Sequence, residues 1–205
     1  MGILGGTFDP PHLAHLALAE AARESLNLDT VLFIPAGDPW LKSSTREITP
    51  GAYRLAMVRL ATEGIPWAAG MGIEIDREGP TYSLDTVRAL AAGGTAADEW
   101  WFIIGADGFR GLPAWHEPAA LADLVRFAVA RRGGDTSPLV TPELSAALPG
   151  IEDRVDEVPM PRMDVSSTDI RARIVEGAST EGLLSDAVRA FIDEHELYRP
   201  GAPEA

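Results

Sequence analysis

The sequence contains no cysteine. It therefore has neither a disulfide frame nor a thiolate metal site. It has no apolar run of the roughly 18 residues that a membrane-spanning helix needs. Met1-Gly2-Ile3-Leu4 shows no basic stretch ahead of an apolar one, so no secretory signal and no membrane partner are expected, and a cytoplasmic location is. Positive charge is scarce: 17 Lys and Arg stand against 31 Asp and Glu, for a formal net charge of −14. A surface of that sign repels a nucleic-acid backbone, and no nucleic-acid partner is expected. It also repels small anions, so any phosphate site must bring its own cations and helix starts. Two nucleotide signatures are missing as well: Gly-x-Gly-x-x-Gly does not occur, and no glycine-rich loop ends in Gly-Lys-Ser/Thr.

What remains is a chain of 205 residues with 46% apolar and 23% charged residues, ordinary for one globular domain. A single domain over 1–199 with a frayed tail at 200–205 is expected. Short apolar runs alternate with amphipathic segments. Strands are expected at Gly2–Leu4, Thr30–Ile34, Trp67–Asp76, Glu99–Ile104, Arg126–Ala130 and Val155–Val158. Helices are expected from Pro11 to Leu26, from a Thr49-Pro50 cap to Glu63, from Thr81 or Ser83 to Gly93, over Pro118–Leu124 and after Pro142. Two more are expected, from Ser166 to Gly177 and over Ser185–Glu196. The pattern implies an α/β fold: a Rossmann-like, doubly wound parallel sheet with helices on both faces and a C-terminal helical segment. Such sheets bind ligands beyond the carboxyl ends of their strands, where strand order reverses. The glycine-marked strand ends are Gly5-Gly6-Thr7 after the first strand and Gly105-Ala106-Asp107, read as a loop, after the fourth.

The stretch Gly5-Gly6-Thr7-Phe8-Asp9-Pro10-Pro11-His12-Leu13-Ala14-His15 carries the chemistry. The glycines admit a ligand close to the backbone. His12 and His15, three apart, share a face in the first turns of a helix, where N–H groups and the helix dipole favour an anion. A surface or capping role, or a metal pair, are the competing readings; no third His or Cys ligand lies nearby for the last.

These residues resemble the G-G-T-F-D-P-x-H-x-G-H signature of the nucleotidyltransferase superfamily, with Ala14 at the usual glycine. Ser166-Ser167-Thr168-Asp169-Ile170-Arg171 resembles its second signature, S-S-T-x-I-R. Gly79-Pro80-Thr81-Tyr82-Ser83-Leu84-Asp85-Thr86 is similar to the G-P-x-Y-S/T-x-D-T segment of the bacterial nicotinate-mononucleotide adenylyltransferase branch. Phe102 to Asp107 with Trp115, Val129-Ala130-Arg131-Arg132, and Leu197-Tyr198 also match that branch. The resemblance covers nearly all of residues 1–199.

The resemblance implies transfer of AMP from ATP to nicotinate mononucleotide, giving deamido-NAD and pyrophosphate. It implies His12, His15 and Arg171 on the ATP phosphates as the catalytic set. Gly5, Gly6, Thr7, Phe8, Gly105, Asp107, Ser167, Thr168 and Arg132 are implied to surround ATP. Lys42, Tyr82, Thr86, Trp115 and His116 are implied on the acceptor side, Trp115 stacking on the pyridine ring. Trp40 and Arg46 share a loop with Lys42. Mg2+ is implied, held mainly by the ATP phosphates, with no metal site of the protein's own. Homo-oligomer formation is left open. His195 is expected at the surface. Three alternatives stand beside this reading: a phosphopantetheine adenylyltransferase, which shares both signatures but not the G-P-x-Y-S segment; the amide-form mononucleotide as acceptor; and a nucleotide-binding regulatory module without turnover.

Overall fold

A computed structural model describes residues 1–37, 48–94, 99–131, 135–160 and 163–199. Six strands form one parallel sheet: β1 (Gly2–Gly6), β2 (Val31–Pro35), β3 (Ala68–Gly70), β4 (Trp101–Gly105), β5 (Arg126–Ala130) and β6 (Val155–Val158). Their order is β3-β2-β1-β4-β5-β6, so the winding direction reverses between β1 and β4. Pairing of β1 with β2 continues to Gly6 opposite Pro35, whereas pairing of β1 with β4 ends at Leu4 opposite Ile103. The two central strands thus part at their carboxyl ends.

Every central strand is apolar on both faces, as a doubly covered parallel sheet requires. On one face Ile3, Leu32, Ile34, Phe102, Ile104 and Phe127 pack in one core with Leu84, Phe109 and Leu121. Those last three come from α3 (Ser83–Gly93), α4 (Ala106–Arg110) and α5 (Pro118–Leu124). On the other face Leu4, Val31, Phe33, Ile103 and Ala128 pack with Ala19 and Ala22 of α1 (Leu13–Leu26) and Val58 of α2 (Gly51–Thr62). After α6 (Pro142–Ala147), the chain closes with α7 (Ser167–Val175) and α8 (Asp186–Glu194). Met57 of α2 joins Ile170, Leu184, Val188, Ile192 and Leu197 in a third cluster, so α2 packs between the sheet and the C-terminal helices. Among the described residues, no helix is long and apolar enough to cross a membrane.

Three expectations are corrected. The third strand is Ala68–Gly70, not 67–76; it lies at the sheet edge, and residues 73–76 form a turn. Gly105-Ala106-Asp107-Gly108 is not a loop: Ala106 to Arg110 is helical, with Ala106 and Phe109 buried. His195 is half-buried, stacked on Phe191 at 4.0 Å and edge-on to Tyr53 at 5.3 Å. The predicted tail at 200–205 lies outside the described residues.

Candidate active site

The site begins where β1 runs out. A Cβ at Gly6 would sit 3.2 Å from the Phe8 ring, and one at Gly5 would sit 3.5 Å from Phe102. Glycine at 6 therefore lets the chain fold back on Phe8, whose ring is 1% exposed. Phe8 has φ +50°, costly for a bulky side chain, and its ring stands edge-on to His15 at 4.9 Å.

Asp9 is 1% exposed. Its carboxylate accepts a bond from the Tyr198 hydroxyl at 2.9 Å, joining residues 189 apart. The Asp9 carbonyl accepts Arg171 Nη1 at 2.6 Å, and that nitrogen is 4.0 Å from the Asp9 carboxylate. The Ser167 hydroxyl donates to the Pro10 carbonyl at 2.9 Å. The start of α7 is thereby tied to the loop that precedes α1. Ser166 caps α7 by accepting the Asp169 N–H at 3.1 Å, while its own hydroxyl donates to the Asp169 carboxylate at 2.6 Å. Ser167 and Thr168 are the first residues of α7, where N–H groups precede the intrahelical bonds. Because the Ser167 hydroxyl donates to Pro10, its contribution toward an anion falls to its N–H. The Thr168 hydroxyl accepts from Arg171 Nη2 at 3.4 Å.

His12 and His15 stack with centroids 3.7 Å apart and planes 21° from parallel. The His12 N–H donates to His15 Nδ1 at 3.1 Å, so a neutral His15 ring carries its proton on Nε2. Burial brings the His12 pKa down from 6.5 to about 4, which makes it a neutral ring at pH 7. Its Nδ1 is buried with no hydrogen-bond partner among the described residues. The expected anion site on the α1 backbone is narrower than the sequence implies. The Leu13 N–H donates to the Leu183 carbonyl at 3.0 Å, and the His15 N–H to the His12 carbonyl at 2.9 Å. Ala14, buried on the same turn, fits where the signature has glycine.

At the end of β4, Gly105 is exposed, and a Cβ there would meet nothing within 4 Å among the described residues. Asp107, in the first turn of α4, pairs with Arg110 at 3.5 Å. Of the residues expected on the acceptor side, Tyr82 precedes α3 and stacks on His116 at 4.1 Å, while Trp115 stands edge-on to Phe102 at 5.6 Å. Thr86 is 2% exposed, and its hydroxyl donates to the Glu74 carboxylate at 2.7 Å. That hydroxyl proton is committed inside the protein, which leaves Tyr82, Trp115 and His116 as the accessible part of the set. Trp40, Lys42, Arg46 and Arg132 lie outside the described residues. Among the described residues no group of three or more His, Asp or Glu side chains could hold a metal ion.

A family model for cytidylyltransferase-like proteins matches residues 3–173. A Dehalococcoides mccartyi protein named "Probable nicotinate-nucleotide adenylyltransferase" is 43% identical over 197 residues, 96% of each chain. The chain belongs to the nicotinate-nucleotide adenylyltransferase family. A family member of the same name from Bordetella petrii is 43% identical over 200 residues, 97% of this chain and 98% of its own. The solved structure of Plasmodium falciparum nicotinic acid mononucleotide adenylyltransferase complexed with NaAD shares the fold at a TM-score of 0.72. Its identity is 16%, and the likeness covers 96% of both chains.

Two residues that hold the family's signature loop escaped the sequence reading. In the sequence Tyr198 stands out only as part of the closing Leu197-Tyr198 match. Arg54 is 2% exposed, on the inward stripe of α2 with Leu55, Val58 and Thr62. A lone charge on an otherwise inward-facing stripe was the available signal.

Proposed function

We propose that the chain transfers the adenylyl group of ATP to nicotinate mononucleotide. A phosphate oxygen of the mononucleotide attacks the α-phosphorus in line. The bond from that phosphorus to the β-phosphate's bridging oxygen breaks, and pyrophosphate leaves with the electron pair. The nucleophile is already an anion, so no general base is required, and the work left to the protein is positioning and charge stabilisation. The single observation that carries this reading is the convergence of the Gly5–Pro10 loop, the stacked imidazoles and the Arg171-bearing start of α7. They meet where β1 and β4 part.

The roles follow from the partners. His15 offers its Nε2–H to the transferring phosphate. Neutral His12 offers a ring N–H, and bound phosphate raises its proton affinity, since a nearby negative charge favours the cation. Arg171, already restrained by Asp9, takes the β- and γ-phosphates with little rotamer freedom left to lose. The N–H groups of Ser167 and Thr168 complete the anion site. Gly5, Gly6, Thr7 and Phe8 line the near wall. Gly105 leaves open ground for the adenosine, and Asp107 accepts from a ribose hydroxyl. Trp115 stacks on the pyridine ring, a contact worth on the order of 1 kcal/mol. Tyr82 and His116 face the nicotinate carboxylate, with Thr86 behind them. Lys42 and Arg132 add positive charge. Enzymes of this kind generally use a divalent metal ion. We take that ion to be Mg2+, which would be held mainly by the ATP phosphates. A cytoplasmic location, where ATP is supplied, is part of this reading.

Pyrophosphate release with ATP and each acceptor tests the reading. Turnover with nicotinate mononucleotide is expected to exceed that with the amide form severalfold. Equal rates, or turnover with phosphopantetheine alone, would overturn the acceptor assignment. Nucleotide binding without turnover would favour the regulatory alternative.

A further inference from the structure

We propose that Arg54 is a positioning residue of adenylyl transfer, acting through the Thr7 carbonyl on the phosphate-binding loop. The inference rests on the reading above. Arg54 is buried at 2% exposure, near the start of α2. Its Nε–H donates to the Thr49 carbonyl at 2.7 Å, its Nη1 to the Ala36 carbonyl at 2.7 Å and the Thr7 carbonyl at 3.0 Å, and its Nη2 to the Gly37 carbonyl at 3.1 Å. One guanidinium thus joins the chain beyond β1, the chain beyond β2 and the approach to α2.

The Thr7 bond bears on chemistry. β1 ends at Gly6, so the Thr7 carbonyl lies beyond the strand. In a trans peptide the carbonyl and the following N–H point in opposite directions, so the bond to Arg54 aims the Phe8 N–H away from α2. It also fixes the peptide plane that precedes Phe8, the residue at φ +50°. Such a conformation persists only where its surroundings over-determine it. The Phe8 ring then sets one side of His15, at 4.9 Å. Arg54 therefore reaches the His15 ring through one carbonyl and one aromatic side chain, without touching substrate. A lysine keeps the charge but not the planar fork that spans four carbonyls.

The test compares wild type with Arg54→Lys and Arg54→Ala, the latter with and without millimolar guanidinium chloride. ATP affinity is read by calorimetry without acceptor, and kcat and both KM values with nicotinate mononucleotide. Circular dichroism checks the fold. Both variants are expected to stay folded and to bind ATP at least about fivefold more weakly. Their kcat is expected to fall about 30-fold, within the range an ångström-scale misplacement produces. The acceptor KM should move by less than about threefold, because Tyr82, Trp115 and His116 lie on other elements. Guanidinium, and not methylammonium, should recover part of the loss in Arg54→Ala. Unchanged ATP affinity and kcat in both variants would overturn the proposal. So would loss of the fold in both, which would place Arg54's contribution in stability alone. A wild type that binds ATP without transferring adenylate contradicts the activity, and Arg54 is then judged on ATP affinity. A wild type that binds no ATP contradicts both.

Discussion

Replacing Tyr198 by Phe deletes one oxygen atom and leaves the ring that packs against the C-terminal cluster. The lost bond is charge-assisted: the phenol donates at 2.9 Å to an Asp9 carboxylate that is 1% exposed. Burial, and then the nearby Asp9 charge, push the Tyr198 hydroxyl's pKa upward, so it remains a donor at neutral pH. Bonds of this type contribute about 1.5–3 kcal/mol, and removing the donor leaves the buried acceptor short of a partner. Asp9 keeps Arg171, whose Nη1 lies 4.0 Å from the carboxylate, which argues against a loss above that range. For a chain of this size the range corresponds to a fall in Tm of roughly 3–12 °C. Thermal denaturation followed by circular dichroism at pH 7 measures it directly. The pairing with Asp9 is checked by a double-mutant cycle with Asp9→Asn, in which the two losses should not add. A Tm within about 1 °C of wild type would refute the reasoning, because it would mean that Asp9 does not depend on the far end of the chain.

Other perturbations read different parts of the account. His15→Ala should lower kcat by at least about 100-fold in the pyrophosphate assay, as removal of a transition-state donor does. His12 should cost stability in acid. Its folded pKa of about 4 lies below the 6.5 of an unburied ring, so between those values the unfolded chain binds a proton that the folded chain refuses. Stability then falls as pH drops from 6.5 to 4, by about 3 kcal/mol, and denaturant titrations of His12→Gln should show that much less acid sensitivity than wild type. Trp115→Ala should raise the acceptor KM about fivefold to tenfold and leave the ATP KM nearly unchanged, as expected for loss of one stacking contact. Gly37→Ala would place a Cβ 2.2 Å from the Glu74 carbonyl oxygen, which cannot swing aside as a side-chain end does. It should cost about 1–3 kcal/mol or more by urea titration, whereas Gly93→Ala, with nothing within 4 Å among the described residues, should be close to neutral.

The sheet was legible because a doubly covered parallel strand is written as a short continuous apolar run, as in Thr-Val-Leu-Phe-Ile and Trp-Phe-Ile-Ile. The reversal between β1 and β4 is the usual one for a doubly wound sheet, and the glycines at both strand ends agreed with it. β3 misled because an apolar run continues from Trp67 through Ile73, although the strand closes at Gly70 and Gly72 packs against Leu55. The helix at Ala106–Arg110 was hidden by two flanking glycines, and its stability comes from Phe109 and Ala106 in the core rather than from local propensity. Motif residues pointed to the proposed site, but local sequence could not tell that the Ser167 hydroxyl is spent on Pro10 or that Thr86 is spent on Glu74. Nor could it pair Asp9 with Tyr198, since their contact depends on the whole chain between them. The acidic composition was informative in the other direction: with so few cations, each basic group near a glycine loop carried weight.

The central claim is that the Gly5–Pro10 loop, the two imidazoles and the start of α7 form a single grip on a polyphosphate. A crystal structure of the chain with a non-hydrolysable ATP analogue tests it most directly. The account predicts triphosphate oxygens within hydrogen-bonding distance of His15 Nε2, the Arg171 guanidinium and the N–H groups of Ser167 and Thr168. A triphosphate bound elsewhere, with His12 and His15 still stacked and Arg171 still held by Asp9 and Thr168, would contradict it.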